Sequence, residues 1–271
     1  MKQGLAAVLA CLLAAPGAAQ EGERHDCVID PPVVIALASA VPGLLAEVTV
    51  ARGDQVAAGQ LVARLDATLE RATRDLLRTR VASTAAIEAQ TARVDFIESR
   101  QQRVRELFAR GVATQETLDE IESAAIEARS ILREVETEQA IAAQELARAE
   151  AAVKLREIRS PIEGIVQERT LSPGEYMHQE SHVAVVVKLD PLHVEAFLPV
   201  ELYGSIAVGD EATVLPAPPV EGAHAATVRV IDRVFDAASG TFGVRLELPN
   251  PEGALPGGHR CKVVFARPPS N

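Results

Sequence analysis

The 271-residue chain has no tryptophan, two tyrosines and six phenylalanines, so aromatic residues make up only 3% of it. Its 48% hydrophobic content is carried by Ala, Val and Leu, which argues against large aromatic-lined ligand pockets. Positive charge is also scarce. Lys and Arg number 27 against 38 Asp and Glu, for a net charge of −11, and the basic face that nucleic-acid binding requires is missing. Lysine occurs only at Lys2, Lys154, Lys188 and Lys262. The three cysteines, Cys11, Cys27 and Cys261, include no pair at zinc-finger or redox-motif spacing. His25, His178, His182, His193, His224 and His259 are dispersed. His178 and His182 would share a face on a helix, but they stand in a strand-turn segment and read as loop histidines. No Ser-His-Asp order and no paired carboxylates stand out. The reading is a non-enzymatic protein with no catalytic residues, no cofactor and no metal.

Residues Met1 to Gln20, MKQGLAAVLACLLAAPGAAQ, have a basic start at Lys2, an apolar run from Leu5 to Ala15 and small residues at Pro16-Gly17-Ala18-Ala19. That is the pattern of a secretory signal peptide over 1–19, and it is shorter than the roughly 20 apolar residues of a membrane span. A lipoprotein leader ending at Cys11 fits less well, because the preceding run is short and Leu9 is bulky. Export leaves Cys27 and Cys261 at opposite ends of the mature chain. An oxidising compartment permits a bridge between them; two independently buried thiols are the alternative.

The mature chain has three textures. From Cys27 to Asp66, short Val- and Leu-rich runs are punctuated by Pro42-Gly43, Gly53-Asp54 and Gly59, a strand pattern. From Ala67 to Arg156 there is no proline, and the one glycine is Gly111. Ala, Glu, Arg, Gln and Leu dominate, which predicts two helices of about 40 residues around a turn at Arg110–Ala113. On the second arm Leu118, Ala125, Leu132, Gln139, Leu146 and Val153 recur every seven residues. Ile121, Ala128, Val135, Ala142 and Ala149 form the companion row, so the arm reads as a coiled-coil seam. The first arm has a weaker seam through Leu69, Leu76, Ile87, Val94, Ile97, Val104 and Phe108. So short a turn requires an antiparallel hairpin. From Ser160 strands return, with candidates at Val183–Val187, Leu192–Leu198, Ala212–Leu215, Ala226–Ile231, Phe242–Leu248 and Cys261–Phe265.

The β stretches flanking the helical region repeat one another. VPGLLAEVTVARGDQVAAGQLVARLD (41–66) aligns with IEGIVQERTLSPGEYMHQESHVAVVVKLD (162–190). Gly43 matches Gly164, Gly53-Asp54 matches Gly174-Glu175, and Leu65-Asp66 matches Leu189-Asp190. Neither half has enough strands to close a core, and packed together they would.

This split GD…GQ…LD repeat resembles a lipoyl or biotinyl carrier fold. With the helical insertion, and with LREIRSPIEGIV, LDPLHVEAFLP and FDAASGTFGVRLELPNPEGALPGG following in order, it resembles the periplasmic adaptor (membrane fusion protein) family of tripartite efflux and secretion systems, in its RND-type branch. The resemblance implies an α+β chain: a lipoyl-like barrel-sandwich hybrid split by a long antiparallel α-helical coiled-coil hairpin, plus a C-terminal antiparallel β-barrel. The expected layout is an N-terminal strand joining the barrel at 27–40, a lipoyl-like first half at 41–66, the hairpin at 67–158, the second half at 159–190, the barrel at 191–267 and a tail at 268–271. The membrane-proximal domain of many members reads as absent or vestigial.

The resemblance further implies an adaptor in the periplasm, tied to the inner membrane through its partners. Those partners are an RND-type transporter, a TolC-like outer-membrane channel and other copies of the chain, as a hexamer or trimer of dimers. An ABC-type or type I secretion exporter is the alternative transporter. Arg103, Leu107 and Thr114 fall at the spacing of the family's channel-contacting tip, with Thr in place of the usual Ser. In this frame Cys27 and Cys261 become neighbours within one barrel. A biotin or lipoate carrier is the rival from another class, but none of the four lysines sits in the Met-Lys-Met or Asp-Lys turn that such carriers present. Alkylation of the unreduced, denatured chain separates the cysteine readings. A bridge predicts no reactive thiol in the mature protein, and two reactive thiols would rule it out.

Overall fold

The computed structural model describes residues 23–265. The expected leader, with Cys11, and the 268–271 tail lie outside them. The chain divides into two compact units, one combining the stretch up to Val33 with that from Lys188 onward, the other spanning Val34–Val187.

The first unit is a closed six-stranded barrel. Its strands are β1 (His25–Asp30), β10 (Leu192–Pro199), β11 (Glu211–Pro216), β12 (His224–Ile231), β13 (Thr241–Leu248) and β14 (His259–Phe265), in the order β1-β10-β13-β12-β11-β14. The two-residue period of a strand turns Leu192, Val194, Ala196 and Leu198 inward from β10, and Phe242, Val244, Leu246 and Leu248 from β13, all buried. Closure leaves no unpaired edge. The buried Asn250 side chain donates to the carbonyls of Leu189 and Leu255, each at 3.0 Å, and accepts from the Leu255 N–H at 3.0 Å, so its polar atoms are satisfied. On β1 and β14, Cys27 lies opposite Cys261, and a disulfide joins them with an S–S distance of 2.04 Å.

The strand expected over 27–40 is in fact two. β1 stops at Asp30, and β2 (Val33–Leu37) belongs to a different sheet. Pro31-Pro32 separates them, because two residues without N–H donors cannot carry a ladder onward.

The second unit holds two four-stranded sheets. One has the order β2-β9-β7-β4, adding β4 (Gln55–Val56), β7 (Gly164–Arg169) and β9 (Ala184–Lys188). The other has the order β6-β5-β3-β8, from β3 (Gly43–Val48), β5 (Leu61–Leu65), β6 (Glu157–Arg159) and β8 (Tyr176–Met177). Exchanging each strand for its repeat partner (β2 for β6, β3 for β7, β4 for β8, β5 for β9) turns one sheet into the other. The hydrogen bonds obey the same exchange. Gly53 N–H donates to Val166 O and Gly174 N–H to Leu45 O, both at 2.8 Å, while Val166 N–H and Leu45 N–H return bonds to Asp54 O and Glu175 O, both at 2.9 Å. Gly53 and Gly174 take φ of 92° and 88°, the left-handed region that glycine enters without a Cβ penalty. Leu45, Val62, Leu65, Val166, Met177, Val183 and Val186 are all buried in the one core that the sheets share.

Between β5 and β6 run three helices: α1 (Thr68–Ala82), α2 (Ala85–Ala109) and α3 (Gln115–Leu155). They form a helical hairpin in which α1 and α2 pack in turn along α3. Every second-arm seam residue named above is buried or half-buried. The first arm departs from expectation because it is broken. Ser83 leaves the helix with ψ of 109°, and the chain restarts after Thr84, whose hydroxyl donates to Glu88 at 2.6 Å. Such local side-chain bonding competes with the helix. The break shifts the phase by one residue, so that Leu77 and Val81 turn inward while Leu69 and Leu76 are 76% and 71% exposed. The Val81 carbonyl freed by the break accepts from Gln139 Nε2 at 2.5 Å, which accounts for an amide in an otherwise apolar row.

Gly164 is the tightest point of the sandwich, since a Cβ there would run into the backbone carbonyl of Val187 on the neighbouring strand. Gly164→Ala is expected to lower the unfolding free energy by about 1–3 kcal/mol, measured by chemical denaturation. An unchanged midpoint would show that the strands can part at no cost.

Candidate functional site

The hairpin has two specialised ends, and its feet come first. α1 leaves β5 and α3 runs into β6, and these two strands pair antiparallel, with Leu61 opposite Arg159, Ala63 opposite Ile158 and Arg64 opposite Glu157. The two ends of the insertion therefore rise from adjacent strands of one sheet. Arg156, at the C-cap of α3, donates through Nη2 to Glu70 on α1 at 2.5 Å and through Nη1 to Pro42 O at 3.4 Å, while its backbone carbonyl accepts from Leu65 N–H at 2.8 Å. One residue thus ties both helices to the sandwich. Asp66 accepts at Oδ1 from the Thr68 hydroxyl at 2.6 Å and from the Thr68 N–H at 2.9 Å. These two bonds hold its carboxyl below the usual carboxylate range, with Arg71 and Arg156 adding smaller Coulombic contributions. A carboxylate is also favoured at this point by the helix N-terminus.

At the far end α2 stops at Ala109. Gly111, with φ of 74°, lets the chain reverse, and the N–H groups of Gly111 and Val112 return to Phe108 O and Leu107 O, both at 2.9 Å. These bonds satisfy the last carbonyls of the helix. Thr114 opens α3 as its N-cap, accepting from Thr117 N–H at 3.2 Å. Of the residues picked from spacing, Leu107 is 43% exposed at the turn. Arg103 is exposed and makes no hydrogen bond or ion pair among the described residues. Thr114 commits its hydroxyl to the cap. Arg105, two residues from Arg103, is instead clamped to Glu122 at 2.8 and 3.0 Å. The apolar surface at the turn is wider than the spacing suggested, since Phe108 and Val112 are 37% and 71% exposed. The seven-residue spacing places Phe108 on the seam, yet its ring is partly exposed at the turn. An apolar residue beside Gly111 was the available signal for Val112. Asp66 was marked only as the end of the first repeat and Arg156 only as part of LREIRSPIEGIV; neither these nor Glu70 were marked as foot residues, because arginine and acid near helix ends are common.

Among the described residues, no group of three or more His, Cys, Asp or Glu could hold a metal, and no helix is long and apolar enough to cross a membrane. Because the folded pKa of Asp66 is depressed, its ionised form contributes stability that is complete above the unfolded value near pH 4 and fades as the pH falls through the lower folded value. Asp66→Asn is therefore expected to lower the melting temperature at pH 7, with the gap to wild type closing below about pH 4. A gap independent of pH would rule out a role for the charge.

A family model described as the RND membrane fusion protein, barrel-sandwich hybrid domain, matches residues 34–189. The nodulation protein NolF of Rhizobium meliloti (strain 1021) is 27% identical over 226 residues, which are 82% of this chain and 57% of that protein, so the chain spans little more than half of NolF. Among solved structures, MacA from Actinobacillus actinomycetemcomitans aligns with a TM-score of 0.75 at 20% identity, covering 90% of this chain and 78% of that one. The membrane fusion protein Spr0693 from Streptococcus pneumoniae R6 aligns at 0.59 and 15% identity, covering 91% and 99%. At these identities the structural likeness speaks for the fold alone. The matched family segment takes in both halves of the sandwich and the hairpin between them, more than half of the chain, and with it the protein belongs to the RND membrane fusion protein family.

Proposed function

We propose that this protein is the adaptor of a tripartite efflux pump, bridging an RND-type inner-membrane transporter and a TolC-like outer-membrane channel. The observation that carries the reading is the arrangement of the hairpin. Its feet are bonded to adjacent strands, and its free end exposes Leu107, Phe108 and Val112 together with the unpaired Arg103. The 41 residues of α3 give a reach of about 60 Å at 1.5 Å per residue. Working as a two-stranded coiled coil, the hairpin is stiff enough to present its end to a distant protein. Leu107 supplies an apolar knob, and the Arg103 guanidinium a planar donor for carbonyls or carboxylates. Thr114 holds the turn that presents them.

The rest of the reading is consistent with this role. The leader delivers the protein to the periplasm, where it associates with the inner membrane through its partners. It assembles as a hexamer or trimer of dimers, and it performs no chemistry. Cargo passes through the assembly rather than into a pocket of the adaptor. Replacing Leu107 with Asp is expected to abolish co-purification of the outer-membrane channel while leaving the helical circular-dichroism signal intact. Unchanged co-purification would remove the tip from the interface.

A further inference from the structure

The hairpin is thinly held at one level. Ala82, Ser83, Thr84, Ala85 and Ala86 are all exposed, and on α3 every residue from Glu136 to Ile141 is exposed apart from the half-buried Gln139. Along the rest of α3 an inward apolar residue recurs at every third or fourth position, from Leu118 to Val135 and from Ala142 to Val153. Between Val135 and Ala142 that row is interrupted, and the groups that meet there are amides. Gln139 bonds the Val81 carbonyl. Gln90, half-buried in the second turn of α2, has its Oε1 buried with no hydrogen-bond partner among the described residues. An acceptor left in that state weakens the packing around it.

The backbone is weak at the same level. The first N–H groups of a helix have no partner within it. Thr84 stands at the N-cap of α2 but makes no capping bond with its side chain, because its hydroxyl donates to Glu88 instead. Ion pairs cross between the arms on either side of this level. Toward the root they are Arg78–Glu150 and Arg80–Glu145, and toward the tip Glu98–Arg129 and Arg105–Glu122. Among the described residues none crosses between Arg80–Glu145 and Glu98–Arg129. The inner face of the first arm also skips here. Val81 follows Leu77 by four residues, but Ile87 follows Val81 by six, one short of the seven that an unbroken seam repeats.

We propose that residues 82–86 are a joint within the hairpin, at which a tip segment tilts on a root segment. The root segment is α1 with the last turns of α3, and the tip segment is α2 with the first turns of α3. Each is clamped by its own ion pairs and stays stiff. α3 runs through the joint as a helix and bends over Glu136–Ile141, where it packs least; long helices curve in this way without breaking. The 25 residues of α2 make a lever of about 38 Å at 1.5 Å per residue, so a tilt of about 15° carries the turn at Gly111 about 10 Å sideways. The feet on β5 and β6 need not move. The joint goes beyond the adaptor reading, and its test needs neither transporter nor channel, so either can fail without the other.

Two measurements on the full chain test this. Amide hydrogen exchange over Glu136–Ile141 is expected to be about ten-fold faster than in the α3 turns on either side, although all of these amides lie within one helix. Residual dipolar couplings are expected to need separate alignment tensors for the two ends of α3, with the smaller magnitude at the tip. One alanine inserted between Ser83 and Thr84 restores the seven-residue step from Val81 to the former Ile87 and itself falls on the inner face. That variant should slow exchange over Glu136–Ile141 about ten-fold and bring both ends of α3 under one tensor. Uniform exchange along α3 in the unmodified chain, a single tensor for both of its ends, or a folded insertion variant that changes neither readout would overturn the proposal. Should the insertion prevent folding, the unmodified chain decides alone.

Discussion

The pairing of β5 with β6 is the constraint on which the rest of the molecule depends. It takes a helical insertion that could have dangled from two separate points and gives it a base one strand wide. The ladder fixes the spacing of the feet, and Arg156 makes the junction directional by gripping Glu70 on one helix while ending the other. A guanidinium suits this position because it presents several donors in a fixed plane, so a single side chain can satisfy a carboxylate and a backbone carbonyl together. With the base set, the seam of α3 against α1 and α2 determines where the far end points.

Much of this was legible in the residues. The match of Gly43 with Gly164 and of Gly53-Asp54 with Gly174-Glu175 marked the two halves, because their turns need glycine where the backbone goes left-handed or another strand crowds in. The absence of proline between Ala67 and Arg156 marked the helical stretch, and the seven-residue row from Leu118 to Val153 marked its inner face. The strand candidates from Leu192 onward fall on strands of the barrel.

What stayed hidden depended on competition between weak local preferences. Nothing in Ala82-Ser83-Thr84 forces a helix to stop, since serine and threonine are tolerated within helices. The chain breaks there with the Thr84 hydroxyl bonded to Glu88, a weak local preference, and the break sets Leu69 and Leu76 on the outer face rather than the inner one. The inner face of α1 is therefore offset by one residue from the heptad spacing, while that of α3, unbroken for 41 residues, follows it. Pro31-Pro32 was a plainer signal, and it divides the first strand between the barrel and the sandwich. The foot residues were invisible for a different reason. Arg156 and Glu70 lie far apart along the chain and resemble any other charged pair on a helix surface.

The exchange of strands between the repeats has a consequence for how the sandwich is held together. Each half completes the other's sheet, so neither is a finished module, and the helical arm separates the two in sequence. Closing a disordered loop carries an entropy cost that rises with the logarithm of its length. Here the intervening residues are not a disordered loop. Folding α1 and α2 back along α3 returns the chain to within one strand of where it left, so the arm itself delivers the second half to the first. Weakening the arm's seam would therefore loosen the β-sheets at its base, even though no seam residue belongs to them.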